Sequence, residues 1–165
     1  MSRASRDELL TYVADLVQHL ERFAVTLLPP DERDEISLGQ EPDGSLVIDL
    51  AARLPVSRRS KHVDLTIFER WRPLRRDEWV LDEYGYELRN HGVDYRRALH
   101  RHDVDAFVRA YGHATHEHCE ATMGVVDCRH YAGVPVEDAF DAFERLYGVW
   151  LAGDRPDCSA LTCLD

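Results

Sequence analysis

The chain has little lysine and no long apolar run. Lys61 is the only lysine among 20 basic residues, so arginine carries almost all of the positive charge. No apolar run approaches the ~20 residues that a membrane-spanning helix needs, and the first residues lack the apolar core of a signal peptide. We therefore expect a cytoplasmic protein with no membrane partner. In that compartment the four cysteines are expected as thiols or metal ligands rather than as a disulfide framework: Cys119, Cys128, Cys158 and Cys163.

Several motifs that mark common enzyme classes are also missing. The sequence contains no Gly-rich phosphate loop, no dinucleotide fingerprint and no nucleophile motif, so it offers no support for NTP hydrolysis, hydride transfer or acyl transfer. It also contains no C-x-x-C, and its cysteine and histidine spacing matches none of the familiar zinc knuckles.

Charge is distributed unevenly along the chain. The net charge is -11, and residues 1–52 and 110–165 are both strongly acidic, whereas residues 53–109 carry a small positive balance of +3. Because the acidic flanks repel phosphate, general binding of duplex DNA is disfavoured. The middle of the chain can still offer a local arginine site for a phosphate group.

The length and the periodicity predict a single α+β domain over residues 1–165, with a weakly ordered tail at 152–165. Ser5 and Glu8 have capping-box spacing at the start of a helix predicted over residues 6–27. From Glu35 to His102 the pattern is strand-like, with a hairpin turn at Pro-Asp-Gly. We expect an antiparallel sheet of four to six strands, with the N-terminal helix and a C-terminal helix that starts at Pro135 packed on it.

The segment after the strands has a weaker pattern. A short helix follows Asp103 and ends at Gly112. The stretch "HATHEHCEATMGVVDCRHYAG" has no clean period and predicts an irregular loop with one short extended piece.

Two His-x-His pairs are the main candidates for chemistry. In "YRRALHRHD", alternation along a strand places His100 and His102 on one face with Arg96 and Ala98, and Arg97 on the other. Such a face is either a solvent-lined cleft or the polar outer surface of a half-exposed sheet, because buried imidazoles need hydrogen-bond partners.

The second pair lies in "ATHEHCE" and has cysteines near it. Zinc takes four converging nitrogen or sulfur ligands. His116, His118, Cys128 and His130 are candidates, with Cys119 as a substitute for one of them. Structural or incidental use of these residues is the competing interpretation.

A metal-free mechanism needs only part of the set. One imidazole takes the proton of an RNA 2′-hydroxyl, another protonates the leaving oxygen, and an arginine stabilises the developing charge. The arginines of the locally basic region, Arg96, Arg97 and Arg101, are available for the last role.

The strands "DEYGYELRNHG" and "YRRALHRHD", followed by "HEH", resemble the core of the TumE-like family of small prokaryotic toxins over residues 79–120. The resemblance implies an α+β toxin with a cognate antitoxin and RNA as its target. By position it implies roles for Arg97, His100 and His102 in a first cluster and for His116 and His118 in a second. An aspartate-asparagine step of that family is missing here.

Two hypotheses therefore follow from the sequence. The first is a toxin-like, metal-independent ribonuclease that uses Arg97, His100, His102, His116 and His118. The second is a non-catalytic interaction protein whose zinc site uses His116, His118, Cys119, Cys128 and His130.

Overall fold

The computed structural model describes residues 3–23, 26–27, 37–54, 63–101, 108–109, 112, 114–120, 122–123, 125, 131–132 and 135–151. This part of the chain contains two main helices, α1 (Arg6–Arg22) and α2 (Ala139–Leu151). The strands are β1 (Arg3–Ala4), β2 (Thr26–Leu27), β3 (Ser37–Gln40), β4 (Leu46–Arg53), β5 (Val63–Arg75), β6 (Glu78–Asn90), β7 (Tyr95–Arg101), β8 (Thr115–Glu120) and β9 (Tyr131–Ala132).

The strands form one antiparallel sheet. Its main path runs β2-β4-β5-β6-β7-β8-β9, while β3 pairs with β4 and β1 pairs with β6. The α+β class with an N-terminal and a C-terminal helix is confirmed. The sheet has more than the expected four to six strands, because it includes the two-residue strands β1, β2 and β9, which are too short to show a period in the sequence.

One face of the sheet is covered by the helices. Along β5, Val63, Leu65 and Ile67 alternate with polar residues and are at most 1% exposed. The two helices also contact each other, since the rings of Tyr12 and Phe140 lie 5.6 Å apart. The opposite face, called the outer face below, carries mainly polar side chains among the described residues, and His100, His116 and His118 lie there.

The first helix begins as predicted and ends earlier. The Ser5 side chain accepts from the backbone N–H of Glu8, and the Glu8 side chain accepts from the N–H of Ser5, so the capping box is confirmed. The helix ends at Arg22, and Thr26 and Leu27 pair with β4 instead of continuing it to residue 27. An open strand edge supplies backbone partners there, and β-branched residues such as Thr26 favour a strand over a helix.

The second helix begins four residues later than Pro135. The Asp138 carboxylate accepts from the backbone N–H groups of Phe140 and Asp141, at 3.0 and 3.1 Å. This carboxylate satisfies N–H groups that the first helical turn leaves without partners. The stronger capping signal of Asp138 therefore outweighs that of the proline.

The turns agree with the sequence. Gly44 has a φ of +85°, and the Asp43 carboxylate accepts from the N–H of Ser45 at 2.9 Å, which confirms the hairpin between β3 and β4. Of the short helix after Asp103, Val108 and Arg109 are described and helical. Gly112, at a φ of +72°, donates to the Val108 carbonyl at 2.8 Å and closes that helix as expected.

The region after Gly112 is more regular than expected. Thr115–Glu120, predicted as part of an irregular loop with one extended piece, is a full strand of the sheet. The tail at 152–165 lies outside the described residues. None of the helices in the described part of the chain has the length and apolar character that crossing a membrane requires.

Candidate functional site

Three of the predicted histidines meet on the outer face of the sheet. His100 on β7 is the direct partner of His116 on β8, and Ala98 is the partner of His118. Because side chains alternate between faces along a strand, His100, His116 and His118 all point to the side away from the helices. The antiparallel register therefore unites residues from both His-x-His pairs.

The three imidazole rings are in mutual contact and are called the histidine cluster below. The ring centroids of His100 and His116 are 5.3 Å apart in a stacked arrangement. His118 lies 5.1 Å from His100 and 5.0 Å from His116, and meets both rings at steep angles. His116 is buried, at 3% exposure, whereas His100 and His118 remain partly exposed. Two rings of the cluster are thus partly exposed, and the buried third ring contacts both of them.

Gly85 makes room for the cluster on the neighbouring strand. It is the β6 partner of His100, and a Cβ at this position would lie 3.1 Å from the His100 Nδ1 atom. The absence of a side chain lets the imidazole lie close to the backbone of β6. A side chain at position 85 would therefore require the His100 ring to shift.

A clamped arginine lies on the same face. Arg96 Nη1 donates to Glu120 at 2.7 Å and Arg96 Nη2 donates to Glu87 at 2.9 Å. Burial by itself raises the pKa of Glu87, but hydrogen bonds from Arg96 and Arg89 outweigh it and hold that pKa below its ordinary value. Glu87 is therefore an ionised carboxylate, and the guanidinium of Arg96 is held two residues along β7 from Ala98.

Arg97 lies on the other face of the sheet and does not join the cluster. Its guanidinium is paired with Glu117, whose side chain is 5% exposed. The role that the resemblance implies for Arg97 beside His100 therefore has no geometric support. Arg96 is the arginine that shares the cluster's face.

Cys119 is also directed away from the cluster. It is opposite Arg97 in the register, is 5% exposed, and its Sγ lies 3.5 Å from the Tyr95 hydroxyl. It is disulfide-bonded, so the expectation of a free thiol is wrong at this position. Its neighbours His116 and His118 point to the opposite side of β8, which is why the three residues cannot converge.

The remaining predicted residues, His102, Cys128 and His130, lie outside the described residues. Among the residues that are described, no group of three or more His, Cys, Asp or Glu side chains is arranged to hold a metal ion. The predicted zinc site that would combine His116 and His118 with Cys128 and His130 thus stays a prediction.

Two cavities lie on the outer face of the sheet. One, of about 240 Å³, is lined by Thr66, Phe68, Tyr84, Gly85, Glu87 and His100. The other, of about 210 Å³, lies toward the opposite end of β5 and is lined by Ala51, Asp64, Leu65, Thr66, Glu87, Arg89 and His91. The first cavity directly adjoins an imidazole of the cluster.

Sequence reasoning missed a buried carboxylate on the helix side of the sheet. Glu69 is completely buried and accepts hydrogen bonds from the hydroxyls of Tyr12 and Tyr86 and from the indole N–H of Trp71, at 2.6, 2.8 and 2.9 Å. Burial is the dominant influence and raises the pKa of Glu69, although the three donors act against it. The signal was present, because the period of two that places Ile67 in the core also places Glu69 there.

No family model, no curated protein and no solved structure matches this chain.

Proposed function

We propose that the histidine cluster cleaves RNA by general acid-base catalysis. The observation that carries the proposal is the mutual contact of three imidazoles, two of them partly exposed, on the face of the sheet away from the helices. Histidine exchanges protons near neutral pH, and a pair of imidazoles in opposite protonation states is the minimum set for phosphodiester transesterification.

The contacts favour such a mixed protonation state. Two imidazolium ions at 5 Å repel each other by about 1 kcal/mol in water and by about 3 kcal/mol at an effective dielectric constant of about 20. Protonation of one ring therefore disfavours protonation of its neighbours. The cluster can hold a neutral base and a cationic acid side by side, as the reaction requires.

Partial exposure assigns the two proton transfers to His100 and His118. His118 takes the proton from the ribose 2′-hydroxyl while the 2′-oxygen attacks phosphorus. His100 protonates the 5′-oxygen as its bond to phosphorus breaks, and a 2′,3′-cyclic phosphate and a free 5′-hydroxyl result. The reverse assignment of the two rings is chemically equivalent. Single-turnover pH profiles of His100→Ala and His118→Ala distinguish the two assignments. His116 is a positioning residue, because it is buried and contacts both.

Charge on the cleaved phosphate needs a cation on the same face. Arg96 meets that need, since it lies on β7 beside the cluster and Glu87 and Glu120 hold it in one orientation. Its clamping carboxylates also limit how strongly the face attracts RNA in general. This fits the negative flanks of the chain and predicts weak, local binding rather than a long nucleic-acid track. RNA is also the target that the resemblance to TumE-like toxins implies.

The test is cleavage of a short fluorescent RNA by the purified full chain in the presence of a chelator. We expect product ending in a 2′,3′-cyclic phosphate, and a rate loss of about 100-fold to 10,000-fold in His100→Ala and in His118→Ala. His91→Ala is the matched control, because His91 is 42% exposed, pairs with Asp64 at 3.3 Å and is outside the cluster.

Two results would contradict the proposal. One is an absence of cleavage by the folded wild-type chain across several RNA sequences. The other is cleavage that disappears when a chelator is added and returns with zinc. That result would instead favour a metal centre that includes Cys128 or His130.

A further inference from the structure

The cavity beside His100 has the features of a binding site for one flat ring. Phe68 lies on the outer face of β5 and is partly exposed among polar neighbours. Its partner across the sheet is Gly85, so no β6 side chain covers that position. The space of about 240 Å³ is smaller than the ~300–1,000 Å³ of sites for drug-sized ligands, and suits a single ring system.

Two polar groups at the wall of the cavity can recognise the edge of such a ring. The Glu87 carboxylate, kept ionised by Arg89 and Arg96, is an acceptor only. The Thr66 hydroxyl both donates and accepts. A ring that presents an amino group to Glu87 and a ring-nitrogen acceptor to Thr66 is complementary to this pair.

Cytosine has that combination. It presents the N4 amino group as a donor beside the N3 acceptor, whereas uracil presents the O4 acceptor beside an N3–H donor. Uracil would therefore place a carbonyl oxygen against a carboxylate. The cavity also touches His100, so a base bound in it would bring the attached 3′-phosphate to the histidine cluster.

From these contacts we propose that the cavity formed by Thr66, Phe68, Gly85, Glu87 and His100 binds the base on the 5′ side of the cleaved phosphate and prefers cytosine to uracil. Phe68 stacks on the base, and Glu87 and Thr66 read its edge. The proposal rests on the proposed function for its substrate class, and it adds a base preference and a stacking residue that RNA cleavage alone does not require.

The test measures binding separately from cleavage. Cytidine 3′-monophosphate and uridine 3′-monophosphate are titrated into the ¹⁵N-labelled full chain, and dissociation constants are taken from backbone amide shifts. We expect cytidine 3′-monophosphate to bind at least about tenfold more tightly, with the largest shifts on β5 and β6 near Gly85. Phe68→Leu keeps an apolar side chain but removes the stacking face, and should weaken cytidine 3′-monophosphate binding by about tenfold.

A second variant checks the edge contact. Glu87→Gln keeps the shape of the side chain but adds an amide donor that uracil can accept, so the preference for cytosine should fall to about twofold or less. His91→Ala is again the control, and its two dissociation constants should equal those of the wild type. Amide spectra show whether each variant keeps its fold.

The outcomes separate this proposal from the proposed function. Equal affinity for both nucleotides, no binding of either, or unchanged binding in a folded Phe68→Leu variant would overturn the cytosine site even if RNA is cleaved. A cytosine preference without any RNA cleavage would support the site and contradict the ribonuclease. Cleavage that is equally fast after cytidine and uridine would support the ribonuclease and count against the site.

Discussion

The Tyr12 hydroxyl on α1 donates a 2.6 Å hydrogen bond to the Glu69 carboxylate on β5. The same Tyr12 oxygen accepts from the backbone N–H of Ala139, in the first turn of α2, at 3.0 Å. One phenol therefore ties both helices to the sheet. The sheet they stabilise is the platform on whose other face the histidine cluster lies.

Removing the Glu69 carboxylate should destabilise the fold. In Glu69→Ala, three donors lose their acceptor, two of them on the buried residues Trp71 and Tyr86, and we expect the free energy of unfolding to fall by about 3 kcal/mol. Glu69→Gln keeps one oxygen acceptor and should cost less, about 1–2 kcal/mol. Urea denaturation measures both. Leu10→Ala is the control on α1, since Leu10 is 49% exposed, and a loss there equal to that of Glu69→Ala would contradict the role of the network.

Glu69 should also make stability depend on pH. Burial raises its folded-state pKa above the ordinary 4.5, so the folded state holds the proton more tightly than the unfolded state. Its contribution is then fully present below pH 4.5 and is lost as pH rises through the folded value. We expect the stability of the wild type relative to Glu69→Gln to decline from acidic toward neutral pH in urea titrations. A relative stability that instead grows with pH would mean that the three donors outweigh burial.

Arg97 should contribute to the stability of the fold and not to RNA cleavage. Arg97→Ala leaves the nearly buried Glu117 without its cation, and because Arg97 is 21% exposed we discount the loss to about 1–2 kcal/mol. The rate of RNA cleavage per folded molecule should stay within about twofold of the wild type. Unfolding curves and cleavage rates are measured on the same preparations. Normal stability combined with a rate loss of about 100-fold would restore the catalytic role implied by the resemblance.

Gly85 and Gly39 both lie in strands, and Gly39 serves as the control for a substitution at Gly85. A Cβ at Gly85 would lie 3.1 Å from His100 Nδ1, whereas a Cβ at Gly39 would meet nothing within 4 Å. Gly85→Ala should therefore shift the His100 ring and lower the cleavage rate by about tenfold, with a stability change of about 1 kcal/mol or less. Gly39→Ala should leave the rate unchanged. Equal rates in both variants would show that the position of His100 is not critical.

Local patterns were sufficient for much of the fold. The capping box at Ser5, the Pro-Asp-Gly hairpin and the alternation of β5 each depend on residues within a few positions of one another. The end of the first helix and the full extent of the strand Thr115–Glu120 were not predicted correctly, because pairing with β4 and β7 decided them. A local sequence pattern does not indicate which backbone hydrogen bonds a segment will form with a distant strand.

The sequence by itself determined that His116 and His118 share a face and that Arg97 and His100 do not, because alternation along a strand is a local property. Only the tertiary structure decided that His100 meets His116 and His118, since that contact depends on the register between β7 and β8. It also decided that Tyr12 reaches Glu69. Strand register and helix docking are set by the free energy of burying the whole apolar face of the sheet. That free energy depends on residues far apart in the chain, so no short stretch of sequence determines it.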